Sequence, residues 1–140
     1  MDPIRIVTAC KQGLVRSVGL ADVLKMHFEP VDVIPVGLNS NSQETLQMLY
    51  EWCNFFIIME ERYFDRIPGG VTYKLPTYTL CSWTDEIKEE LKKKNAKVLT
   101  CEVGQDIYGN SHHPELIDKC WQWARLVQVA MGIKEHQRKI

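Results

Sequence analysis

Four short apolar runs, over residues 4–9, 31–36, 55–59 and 98–103, punctuate this 140-residue chain, and stretches of helical character alternate with them. That alternation is the strongest constraint on its fold. Strands that alternate with helices pair in parallel, joined by right-handed crossovers, with helices covering both faces of the sheet. The runs are apolar almost throughout, as strands buried on both faces require. Leu20, Val23, Leu24 and Phe28 recur at helical spacing and predict a helix over about 17–28, ended by Pro30. Ser42, with Glu44 and Thr45 nearby, predicts a helix start that runs on to about Trp52. Pro114 suits a first helical turn, and Ile117, Cys120, Ala124, Val127 and Met131 mark the buried stripe of that last helix. Between the third and fourth runs the chain predicts a short helix over 60–67, a loop over 68–80, and a helix to about Lys94 capped by Ser82 or Thr84.

The length suits one domain, 1–140, with a core of its own. Formal net charge is −1, and no basic block interleaves with aromatics, so no nucleic-acid partner is expected. Lys92-Lys93-Lys94 follows Glu89 and Glu90 and reads as a solvated helix face. No apolar stretch approaches the ~18 residues of a membrane span, and the N-terminus carries no signal pattern. A cytoplasmic protein without a membrane partner is the expectation. The five cysteines, at 10, 53, 81, 101 and 120, form no C-x-x-C pair, which argues against a disulfide framework and a zinc site. His112-His113 lacks ligand spacing to Cys101 and Cys120, so no metal is expected. His27 and His136 read as ordinary helix residues, and Trp52, Trp83, Trp121 and Trp123 as packing residues.

In open parallel sheets ligands bind beyond the C-terminal strand ends. Cys10, Asn39, Glu60 and Asp106 follow the four runs in turn and so share one sheet edge. Cys10-Lys11-Gln12-Gly13-Leu14-Val15-Arg16-Ser17 lies between the first strand and the first helix. A loop at a helix N-terminus aims backbone N–H groups into one concavity that suits a phosphoryl dianion. The same position favours a thiolate over a thiol. Arg16 can fork onto two phosphate oxygens, and Ser17 can hydrogen-bond the sulfur and support it as a leaving group. The other reading of these residues is a buried structural cysteine followed by a surface arginine.

With Cys10-x5-Arg16-Ser17 at the start, Phe55-Phe56-Ile57-Ile58-Met59-Glu60-Glu61 in the middle and Asp106-Ile107-Tyr108-Gly109-Asn110 before the last helix, the chain resembles the low-molecular-weight protein-tyrosine-phosphatase family. The resemblance spans nearly the whole chain. It implies a three-layer α/β sandwich, a four-stranded parallel sheet ordered 2-1-3-4, and hydrolysis of phosphate monoesters through a cysteinyl-phosphate without a cofactor. By the same resemblance Cys10 is the nucleophile and Arg16 the phosphate clamp. Ser17 assists the thiolate, and Asp106 is general acid and then base. Lys11, Gln12, Gly13, Leu14 and Val15 supply the phosphate-binding loop, and Tyr108 is an aromatic wall of the substrate slot. Asn39, with Asn41, is expected to touch the loop backbone or the substrate, or else to be a turn residue. The partners implied are a phosphorylated protein or a small aryl phosphate, with inorganic phosphate as product, and the expected state is a monomer or weak dimer.

The chain also departs from the family pattern. Gln12 and Gly13 replace the usual Gly and Asn, and Gly13 can take the left-handed backbone in the Asn's stead. Val15 stands where a second, protective cysteine is common, and Val18 where Pro is usual. The acidic segment is one residue short and lacks its Pro, which brings in Glu102 as a substitute acid. Three other functions share such a loop. Arsenate reduction usually needs further redox-active cysteines, and none is near Cys10 in sequence. Phosphoryl carriers generally lack the arginine. A catalytically weak phosphate-binding module that sequesters a ligand or partner is kept open by the altered loop and the shortened acidic segment.

Overall fold

A computed structural model describes residues 3–11, 15–27, 31–59, 98–103 and 107–131. Within them lie strands β1 (Ile4–Cys10), β2 (Val31–Gly37), β3 (Phe55–Ile58) and β4 (Val98–Thr100), and helices α1 (Arg16–His27), α2 (Gln43–Trp52) and α3 (Pro114–Met131). The strands form one sheet in the order β2-β1-β3-β4, and every pairing is parallel. This is the α/β sandwich and strand order expected. The helices expected over 60–67 and up to Lys94, and the loop over 68–80, lie outside the described residues.

Alternation along the strands divides the core in two. Ile6 and Cys10 of β1, Ile57 of β3 and Leu99 of β4 pack with Leu20, Val23 and Leu24 of α1 and with Leu116, Cys120, Trp123, Ala124 and Val127 of α3. Val7 and Ala9 of β1 and Phe56 and Ile58 of β3 face the opposite way, onto Leu46 of α2. One face of the sheet therefore carries α1 and α3, and the other carries α2. β2 is the outermost strand on its side, and it contains Pro35. Proline is tolerated on an edge because it has no N–H to pair, and it discourages a further strand there.

The helix starts follow local chemistry. Ser42 caps α2, its Oγ accepting from the backbone N of Thr45 at 3.1 Å. Before α3, the His113 ring accepts from the backbone N of Glu115 at 3.2 Å, and the His113 carbonyl takes the first helical bond, from Ile117. At the opposite end of the sheet Arg5 anchors the entry to β1. Its Nε donates to the Trp52 carbonyl at 2.6 Å and its guanidinium lies over the Trp52 ring.

Candidate active site

The C-terminal end of β1 is pinned from both sides. The Cys10 carbonyl accepts from the Leu38 N–H at 2.8 Å, and the Lys11 carbonyl from the Asn39 N–H at 2.9 Å. On the other side the Met59 N–H donates to the Ala9 carbonyl at 3.0 Å. The end of β1 is therefore held between Leu38 and Asn39, just past β2, and Met59, just past β3. Asn39 does reach the segment after Cys10, and it does so through its main chain; Asn41 turns its side-chain amide onto the Gly37 carbonyl at 2.8 Å.

α1 begins beside that strand end. Its first helical bond runs from Gly19 N to the Val15 carbonyl at 2.9 Å, so the N–H groups of its first turn project out of the helix end. α2 and α3 each hold a carboxylate in the first turn, Glu44 and Glu115, but α1 holds none. The positive end of the α1 dipole is thus left for another anion to meet.

Two residues of this first turn are buried, and one of them touches Cys10. The Cys10 Sγ and the Ser17 Oγ are 3.2 Å apart, and both side chains are buried. When the sulfur is a thiol it donates to the hydroxyl; when it is a thiolate the hydroxyl donates to it. Arg16 is wholly buried, and its Nε and Nη2 are shut off from solvent. A guanidinium out of contact with water requires anionic or carbonyl acceptors, or its desolvation goes uncompensated. The Cys10 sulfur therefore meets the first turn of α1 at Ser17, and the surface-arginine reading of Arg16, the residue before it, is excluded. Lys11, next to Cys10, is exposed, and Val15, next to Arg16, is half-buried. Gln12, Gly13, Leu14 and Asp106 lie outside the described residues.

Tyr108 is placed differently from the slot wall expected of it. Only 4 % of it is exposed. Its hydroxyl donates to the Val103 carbonyl and accepts from Lys119 Nζ at 2.9 Å, and its ring meets His113 edge-on. The ring closes the core between β4 and α3. Its neighbour Ile107 is the outward residue, 74 % exposed. Glu102 offers its backbone carbonyl to the Trp123 indole N–H at 2.9 Å. Sequence reasoning missed the tethering of Cys10 by Leu38 and the burial of Thr8. The signal for Thr8 was available: a hydroxyl inside an apolar parallel strand must find a partner.

Cys10, Cys53, Cys101 and Cys120 are all buried thiols. Burial pushes the Cys120 thiol up to about 12, and burial together with neighbouring Cys120 pushes Cys101 well above its usual range. Those two are inert packing groups at neutral pH. No cluster of three metal-ligating side chains occurs among the described residues, and no helix among them is long and apolar enough to cross a membrane. Compared with protein-family models, curated proteins and solved structures, the chain has no significant match in any of the three.

Proposed function

We propose that the chain hydrolyses phosphate monoesters through a cysteinyl-phosphate on Cys10, with phosphotyrosine in a protein, or another aryl phosphate, as substrate. One observation carries this reading: the Cys10 sulfur lies 3.2 Å from the Ser17 hydroxyl at the mouth of a helix that opens on a buried arginine and has no carboxylate in its first turn. A purely structural cysteine has no use for a buried arginine in the helix turn that its sulfur meets. A phosphoryl dianion does, because the helix end and the guanidinium both offset its charge.

The chemistry runs in two displacements. The Cys10 sulfur attacks phosphorus, the ester P–O bond breaks, and the leaving oxygen takes a proton. Water then attacks phosphorus, the S–P bond breaks, and the electron pair returns to sulfur with inorganic phosphate released. Arg16 clamps the equatorial oxygens in both steps, and Ser17 donates to the sulfur as it leaves. Asp106 supplies the first proton and accepts one from water in the second step. That assignment rests on its motif alone. The same reading puts the chain in the cytosol, where thiols stay reduced.

The test is hydrolysis of p-nitrophenyl phosphate by the wild-type chain and by Cys10→Ser, together with trapping of a phosphorylated cysteine after acid quench. Turnover with a trapped phosphocysteine, abolished in Cys10→Ser while the fold is kept, supports the proposal. Comparable turnover by Cys10→Ser refutes the covalent route. Tight phosphate binding without turnover would instead mark a sequestering module.

A further inference from the structure

Thr8 is a wholly buried polar residue in β1. Its Oγ1 donates to the Ser17 carbonyl at 2.8 Å. Thr8 and Cys10 stand two residues apart on one strand, so both side chains face α1. Ser17 is consequently held twice by the same strand face: its carbonyl by Thr8, its hydroxyl by Cys10 at 3.2 Å. The Ser17 carbonyl has a second lone pair for the helical ladder, so the Thr8 bond adds to the helix and replaces nothing in it.

We infer that Thr8 is a positioning residue that sets the Ser17 hydroxyl against the Cys10 sulfur. The inference rests on the reading of Cys10 as nucleophile. A hydroxyl aids a departing thiolate only from within hydrogen-bond range, and a rotation of the first turn by an ångström takes it out of range. Hydrophobic contacts alone set the depth of α1 on the sheet but leave its sliding and rotation soft, because they are non-directional. A directional bond from strand to helix backbone fixes the register of α1 just where the sulfur needs it. Valine at this position would satisfy the strand and the packing equally well. The hydroxyl is what distinguishes Thr8.

The kinetic consequence falls on the second displacement, in which sulfur is the leaving group. Thr8→Val and Thr8→Ala should accumulate phosphocysteine, with kcat and KM for p-nitrophenyl phosphate falling together at least fivefold and kcat/KM held within twofold. Thr8→Ser, which restores the hydroxyl, should match wild type in all three. A second measurement does not depend on turnover: the 13Cβ resonance of Cys10 should move in Thr8→Val and Thr8→Ala and stay in place in Thr8→Ser. If kcat stays within twofold in Thr8→Val, or if kcat/KM falls with KM unchanged, the positioning role is overturned. It is also overturned if Thr8→Val and Thr8→Ala both fail to fold, since Thr8 would then be a structural support only. A wild-type chain that turns over no phosphate ester refutes the proposed hydrolysis. The resonance comparison then decides on Thr8 by itself: displacement that follows the hydroxyl upholds the placement, and equal shifts in all variants overturn it.

Discussion

Gly19 of α1 lies against Leu116 of α3 so closely that a Cβ at Gly19 would stand 3.1 Å from Leu116 Cδ2 and 3.2 Å from the Ser111 carbonyl oxygen. Glycine inside a helix costs about 1 kcal/mol against alanine, so its presence here calls for a packing reason. The reason is this approach, which seats the loop before α3 against the first turns of α1. Gly19→Ala should gain the propensity but pay about 1–3 kcal/mol for overpacking, because a backbone carbonyl cannot swing aside as a side-chain tip can. The expected net result is a lower Tm for Gly19→Ala and a further drop for Gly19→Val, read by thermal unfolding. A higher Tm in Gly19→Ala would show that the contact yields freely.

Tyr108 shows where the sequence misleads and why. The family resemblance makes Tyr108 an aromatic wall of the substrate slot. In the fold, Gly109 takes a positive φ of 78° and the chain turns there, with Tyr108 directed inward. Only tertiary packing, against Val103, His113 and Lys119, decides the direction of the ring. The strands were legible because their apolar runs are short and their helices carry clear stripes. The meeting of Cys10 with Ser17 was legible because a strand end and the helix start that follows it across a short loop lie close together. The bond from Thr8 to Ser17 was not, since it needs the height of α1 over β1, which no periodicity encodes.

Tyr108→Phe separates the two roles. It removes a hydroxyl that both donates to Val103 and accepts from Lys119, and the Val103 carbonyl is then left with one partner fewer. A loss of about 1–2 kcal/mol in urea unfolding is expected. KM for p-nitrophenyl phosphate should change less than twofold. A large rise in KM with stability unchanged would return Tyr108 to the substrate slot.

Stability should fall at alkaline pH. Burial raises the Cys120 thiol from 9.0 to about 12 in the folded chain. The unfolded chain therefore releases this proton first, and between pH 9 and 12 it binds fewer protons than the folded chain. The contribution is whole below pH 9 and lost as pH rises through about 12. Cys101, raised in the same direction, adds to the slope. Urea midpoints taken from pH 8 upward should decline above pH 9, and less steeply in Cys120→Ala. An equal decline in the variant would assign the slope to other groups.

Arg16→Lys keeps the charge and changes its shape. A planar guanidinium matches two equatorial oxygens of a trigonal phosphoryl group at once; an ammonium meets them as a point. Removing one preorganised donor from an anionic transition state typically costs 10²–10³ in kcat. kcat for p-nitrophenyl phosphate should fall by about 100-fold or more, with inorganic phosphate inhibiting more weakly. Thermal unfolding of the same variant checks that the fold survives. A folded Arg16→Lys chain whose turnover drops less than about threefold, under about 1 kcal/mol, would remove Arg16 from the transition state.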